Sequence, residues 1–136
     1  MSTRFDTLHR LCGMVDYLTA ADVRPLYLGF APPNIRGAFA VIVSAEADWV
    51  QDDLEETDGT RVDWIVYVYG DSVAELEPLA LKVIAALNRP GEGVQIGEDR
   101  ACFCRVTGDE FSTELMETGG EVPRLTYRIT ATVTIY

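Results

Sequence analysis

The chain has 136 residues, 48% of them hydrophobic, with 22 acidic side chains against 11 basic ones and a formal net charge of −11. That length predicts one domain with a real core, and the hydrophobic share excludes intrinsic disorder. The acidic excess argues against a phosphate-gripping groove or an anionic membrane as partner, no apolar run is long enough to span a bilayer, and the start Met-Ser-Thr-Arg-Phe-Asp lacks the apolar stretch of a signal peptide, so a soluble protein made in a cytoplasm is expected.

Phe5, Leu8, Cys12, Val15 and Leu18 recur at three- and four-residue steps, which predicts a helix from Thr3 to about Tyr17 with this stripe buried. Ser2 or Thr3 can cap its start, and Asp6 suits the first turn. Leu26 to Phe30 is a short apolar strand that Pro32-Pro33-Asn34 breaks. Ala38 to Ser44 is an unbroken apolar run, the pattern of a strand buried on both faces. Glu46 to Thr60 reads as a long loop, with seven acidic residues in the thirteen positions from Glu46 to Asp58 and a turn at Asp58-Gly59. Arg61 to Tyr69 is a strand with Val62, Trp64, Val66 and Val68 on one face and Asp63, Ile65, Tyr67 and Tyr69 on the other.

Ser72-x-x-Glu75 is a capping box that opens a second helix, about Ser72 to Asn88. Val73, Leu76, Ala80, Val83 and Leu87 form its buried stripe, Pro78 predicts a kink or a restart, and Arg89-Pro90-Gly91 ends it. Val94 to Ile96 is a short strand, Ala101 to Thr107 a firmer one, and Gly108 to Pro123 a second long polar loop. From Leu125 to Tyr136 apolar and polar residues alternate almost without error. Leu125, Tyr127, Ile129, Ala131, Val133 and Ile135 take one side; Thr126, Arg128, Thr130, Thr132 and Thr134 take the other. A strand of roughly 40 Å with one buried and one wet face follows, at home in an antiparallel sheet open on one side. The fold class expected is α+β: a mixed, mainly antiparallel sheet with two main helices packed on one face and long loops projecting, as a single domain over 1–136.

Catalytic chemistry is hard to place. His9, the only histidine, lies beside Arg10 on the solvated side of its helix, without a positioned partner. No serine sits in a Gly-x-Ser-x-Gly elbow, and Pro90-Gly91-Glu92-Gly93 is too short and too acidic to cradle an anion. Taking Gly59 as the turn glycine of a calcium loop puts Leu54 in the first ligand slot, so the acidic segment reads as a solvated loop. Cys102 and Cys104 share a face of one strand; they read as small buried hydrophobes, since bridging them strains disulfide geometry and no ligand set accompanies them. Neither a metal nor a cofactor is expected, and no enzyme. Trp49, in the acidic loop, either folds back onto the domain or anchors a partner.

The run Arg61-Val62-Asp63-Trp64-Ile65-Val66-Tyr67-Val68-Tyr69-Gly70-Asp71-Ser72, the helix Ala74 to Leu87 rich in Glu, Leu and Ala, and the closing strand ending Ile-Tyr resemble the tail terminator (tail-completion, minor tail protein U-like) proteins of long-tailed bacteriophages. The resemblance covers about residues 3–136; the cysteines and the acidic loop lie outside it, and Pro78 departs from it. It implies a virion protein, made in the host bacterial cytoplasm, that closes into a ring, commonly a hexamer. The ring caps the tail tube, ends its polymerisation and offers a surface to the neck. The partners implied are other copies of the chain, the tail tube protein and a neck or head-completion protein, with DNA only passing through the lumen and no membrane. The family carries no catalytic residue, so functional positions are surfaces. The candidates by loop are Trp49, Asp52, Asp53, Glu55 and Glu56 in the first, and Phe111, Leu115 and Met116 in the second. The acidic charge suits a channel through which DNA must slide, or simply keeps the subunit soluble until assembly. The rival readings are another head–tail joining protein and, further off, a cytosolic module binding a small apolar ligand on the open sheet face.

Overall fold

The computed structural model describes residues 4–31, 35–49, 60–96, 99–115 and 123–135. In chain order the elements are α1 (Arg4–Ala20), β1 (Leu26–Leu28), β2 (Phe39–Trp49), β3 (Thr60–Gly70), α2 (Val73–Leu87), β4 (Arg89–Ile96), β5 (Asp99–Leu115) and β6 (Pro123–Ile135). The strands form one six-stranded sheet in the order β1-β2-β3-β6-β5-β4. Every neighbouring pair is antiparallel except β1 with β2. This is the expected α+β fold. Both helices bury their apolar residues against one face, in a single core with Ala40, Ile42, Val62, Trp64, Val66, Val68, Ile129, Ala131 and Val133.

The alternation of β3 holds: Val62, Trp64, Val66 and Val68 are buried, while Asp63, Ile65, Tyr67 and Tyr69 are half-buried on the opposite face. On β6, Ile129, Ala131 and Val133 are buried as expected, but the other face is not uniformly wet. Thr126 is 1% exposed, and its Oγ1 has no hydrogen-bond partner among the described residues. It lies opposite Tyr69 in the register. There the sheet carries an aromatic row: Tyr69 stacks on Phe39 at 5.0 Å and on Tyr67 at 6.1 Å, and Phe39 meets Tyr27 edge-on at 6.2 Å.

Four expectations change. Among the described side chains of α1, the buried apolar ones are Leu11, Met14 and Leu18, Val15 packs against the core and Cys12 is exposed, while the side chains of Phe5 and Leu8 lie outside the described ones. The helix is rotated from the expected stripe because Met14 and Tyr17 also face the core; the Tyr17 hydroxyl donates to the Ala86 carbonyl of α2 at 2.7 Å. In α2, Leu79 and Ala86 join Leu76, Ala80, Val83 and Leu87 in the core, and Val73 is 52% exposed. Pro78 neither breaks nor restarts the helix. Its missing N–H leaves the carbonyl of exposed Ala74 to solvent, which satisfies it. Both long loops shrink as well, because the strands run on. β2 continues through Glu46, Ala47, Asp48 and Trp49 after a register shift between Ser44 and Ala47, with Asp48 opposite Arg61 and Trp49 opposite Thr60. β5 continues past Gly108, where the register shifts once, to Leu115 opposite Pro123. Acidic residues and a glycine suggested loop; cross-strand pairing and a bulge absorb them instead.

The helices are tied in locally. Ser72 caps α2, its Oγ accepting from the Glu75 N–H at 3.3 Å. At the end of α1, Asp22 takes the left-handed conformation (φ 67°) while the Val23 N–H reaches the Leu18 carbonyl at 3.0 Å and the Asp22 N–H reaches Thr19 at 3.0 Å. That is a Schellman stop, with Val23 and Leu18 both buried beneath it. Arg24-Pro25 is a cis peptide. Lys82 of α2 pairs with Asp22 at 2.7 Å, and this contact holds the exposed Asp22 carboxyl below its ordinary pKa.

Gly70, between β3 and α2, has no room for a side chain: a Cβ there would lie 2.9 Å from Leu76 Cβ and 3.2 Å from the Leu76 nitrogen. Gly70→Ala must push α2 off the sheet and is expected to cost about 1–3 kcal/mol in urea unfolding. Thr126→Val keeps the shape and removes a buried hydroxyl without a partner. It should raise stability by about 1 kcal/mol, seen as a melting temperature higher by roughly 3 °C.

Candidate interaction surfaces

The exposed side of α2 and the sheet beside it form an apolar groove. Val73, Leu76, Ala80, Leu81 and Ile84 line one wall and Phe111 and Tyr127 the other, around about 290 Å³. Val73, Leu81 and Phe111 are 52%, 56% and 53% exposed, so three large apolar side chains meet water at one place. Scattered exposed hydrophobes are ordinary; a cluster around a concavity marks an interaction surface. Phe111 lies opposite Tyr127 in the β5–β6 register, which puts both rings on the helix side. At the rim the Tyr127 phenol donates to the Asp109 carboxylate.

The opposite face of the sheet is divided. At one end lies the aromatic row. Towards the other, Arg61, Phe103, Arg105, Thr107, Thr132 and Thr134 border a shallow polar hollow of about 400 Å³. Thr132 Oγ1 donates to Asp63 at 2.7 Å, and Arg128 pairs with Glu110 at 3.0 Å. Three arginines therefore stand on this face of a strongly acidic chain, arranged with hydroxyls and carboxylates as a hydrogen-bonding surface.

Of the candidates from sequence, Phe111 stands at the groove. Leu115 ends β5 opposite Pro123, and Trp49 ends β2 opposite Thr60. These two strand ends lie at opposite corners of the sheet, so the structure does not bring the two candidate sets together. Asp52, Asp53, Glu55, Glu56 and Met116 lie outside the described residues, as does most of the acidic segment. Sequence reasoning missed Leu81, Ile84 and Tyr127 as groove residues and placed Val73 in the core. The signal was present: Val73 and Leu81 stand eight positions apart, two turns of one helix face, beside the buried stripe.

The cysteines fit their reading as small hydrophobes on β5: Cys102 and Cys104 are buried and unbridged. Burial, with Cys102 close by, pushes the Cys104 thiol up to about 12. Among the described residues no group of three or more His, Cys, Asp and Glu is placed to hold a metal ion. None of their helices is long and apolar enough to cross a membrane.

The hydrogen bond to Asp109 pushes the Tyr127 phenol up to about 12, with burial and the carboxylate's charge adding to it. The folded state then holds this proton above pH 10, where the unfolded chain releases it. The associated stability is whole below pH 10 and fades as pH rises towards 12. In an NMR titration of the ring carbons, Tyr127 should be among the last tyrosines to ionise, and Asp109→Asn should bring it back towards its ordinary range.

No protein-family model matches the chain, and no curated protein matches it. Solved structures do share its fold. One is a chain of the virion of a native gene transfer agent particle, with a TM-score of 0.55 and 16% identity over 87% of this chain and 83% of that one. Another has a TM-score of 0.55 and 19% identity, covering 100% of this chain and 96% of its own.

Proposed function

We propose that the chain is a structural protein of a phage-like virion, and within that class a tail terminator. Copies of it form a ring, six in the family it resembles, that caps the tail tube, stops its growth and presents a surface to the neck. The observation that carries the reading is the fold shared along most of both chains with a component of a gene transfer agent virion. The strand–turn–helix run from Arg61 to Leu87 adds to it, since the same run underlies the resemblance to tail terminators. The surfaces suit a scaffold: an apolar groove and a hydrogen-bonding sheet face. The role is non-catalytic, needs no cofactor, and belongs to the virion after synthesis in a bacterial cytoplasm. DNA crosses the lumen without specific contacts, consistent with a net charge of −11. A head–tail joining protein of the same neck is the second reading, favoured by the same fold likeness.

The test is assembly. Light scattering over a wide concentration range, alone and with tail tube protein added, should reveal a closed oligomer in at least one condition. A strict monomer in both rejects the ring. The acidic segment around Trp49 is proposed as an intersubunit or tube-facing contact, with the indole as its anchor. Trp49→Ala should leave the subunit's melting temperature nearly unchanged and weaken assembly by about 2 kcal/mol or more, the usual cost of truncating an aromatic anchor. A large loss of subunit stability would make Trp49 a core residue instead.

A further inference from the structure

Among the described residues, each edge of the sheet is covered along only part of its length. β1 pairs with β2 through Leu26–Leu28 against Ala40–Ile42; among the described residues nothing pairs with that side of β2 from Val43 to Trp49. At the other edge β4 meets β5 through Arg89↔Cys104, Val94↔Cys102 and Ile96↔Asp99. Beyond Val106, whose N–H donates to Asn88 Oδ1 at 3.4 Å, no described strand flanks β5 from Gly108 to Leu115. The registers fix where these open segments lie. Trp49, Thr60, Ile135 and Cys102 stand in one row across the sheet; Phe39, Tyr69, Thr126 and Ser112 stand in another, towards the far end. The open segments therefore occupy diagonally opposite corners. Three antiparallel steps separate β2 from β5, so the two strands run in opposite directions.

We infer that the subunits of the ring join edge to edge, the open segment Val43–Trp49 of β2 in one copy adding antiparallel to the open segment Gly108–Leu115 of β5 in the next. The inference rests on the ring reading and says which surfaces make it. A second copy slid along the strand direction brings these segments together while β1 of one copy and β4 of the other pass clear at either end. Without the slide, the contacts would fall to three-residue β1 and to β4, whose ladder is interrupted twice. The joint is head-to-tail, the kind that repeats around a ring instead of stopping at a dimer. It also gives the apolar groove a neighbour: Phe111 belongs to the open segment of β5, and an added strand runs along the rim that Phe111 and Tyr127 form.

Charge controls this joint. In sequence the open segment of β2 carries Glu46 and Asp48, and that of β5 carries Asp109, Glu110 and Glu114, so the joint brings together two acidic stretches. Arg61 opposite Asp48, the Tyr127 phenol at Asp109 and Arg128 at Glu110 offset part of the repulsion. The remainder keeps open edges apart in dilute, low-salt solution, as charged edge strands do. Added salt shortens the reach of that repulsion from about 30 Å at 0.01 M to about 8 Å at 0.15 M, so association should strengthen with salt.

Cross-linking tests it. In a Cys12→Ser background, Glu46→Cys and Ser112→Cys place one thiol near the middle of each open segment. A bismaleimide reaching about 8 Å spans direct and diagonal cross-strand neighbours. The doubly substituted protein, alone at high concentration or with tube protein, should give a ladder of covalent multimers, more abundant at 0.15 M than at 0.01 M salt. A mixture of the two singly substituted proteins should give dimers containing one of each, and neither alone should give dimers. Rings by light scattering without Glu46–Ser112 bridges, Ser112–Ser112 bridges, or yields that fall with salt overturn the joint and leave the ring reading standing. A strict monomer under every condition removes both.

Discussion

The pairing of β3 with β6 governs the rest of the molecule. It runs from Thr60↔Ile135 to Gly70↔Leu125 without a slip, whereas the three other antiparallel ladders are all interrupted. A one-residue shift of β3 would turn Val62, Trp64, Val66 and Val68 away from the helices, and one of β6 would do the same to Ile129, Ala131 and Val133. β6 alternates apolar and polar along its length and β3 presents only Val and Trp to the helices from Val62 to Val68, so their mutual register is strongly specified. The bulges at Ser44–Ala47 and Val106–Gly108 lie one strand further out, where irregularity can be absorbed without moving the centre.

The helices inherit their position from that pair. β3 ends at Gly70, whose missing side chain lets Leu76 approach, and Ser72 starts α2 two residues later. α2 therefore lies where the strand delivers it. α1 is then held from the α2 side, by the Tyr17 hydroxyl on the Ala86 carbonyl and by Lys82 on Asp22. Much of this was legible in the amino-acid sequence, because it depends on local signals: the two faces of β3, the alternation of β6, a capping serine, and a proline–glycine pair after α2. In α1, Val15 and Leu18 of the expected stripe do pack on the core, but two apolar rows lie side by side there, and packing against the sheet turns Leu11 and Met14 inward and leaves Cys12 exposed. The outer halves of β2 and β5 were hidden for another reason. Their acidic residues and Gly108 have poor strand propensity, and it is the long partners β3 and β6 that hold them extended.

The surfaces were less legible than the core. Phe111 could be nominated as an apolar residue in a polar stretch, but its groove is built by α2 residues far away in sequence and by Tyr127 on β6. A groove between a helix flank and a sheet is a tertiary object, and periodicity reports only which residues each element contributes to it. Cys102 and Cys104 show the converse: their alternation placed them on one buried face, and the high thiol pKa of Cys104 follows from that burial.

The division of the open sheet face bears on how such a subunit could serve in an assembly. Its aromatic end is already packed by its own rings, with Phe39 and Thr126 buried, so it offers little fresh apolar area. Its other end carries Arg61, Arg105 and several threonines beside the Thr132–Asp63 hydrogen bond, a polar surface. Among the described residues, the large apolar side chains left exposed are Val73, Leu81 and Phe111 at the groove and Leu28 and Phe30 at and beyond the end of β1, and parts of β2 and β5 run without an outer strand partner. An assembly that used the sheet face would bury a polar hollow. One that used the edges would pair backbone groups that otherwise depend on water, beside apolar side chains that already stand exposed. The described surface thus has more to gain from contact at the groove and along the open strand segments than across the sheet face, whose polar groups would first have to give up their water.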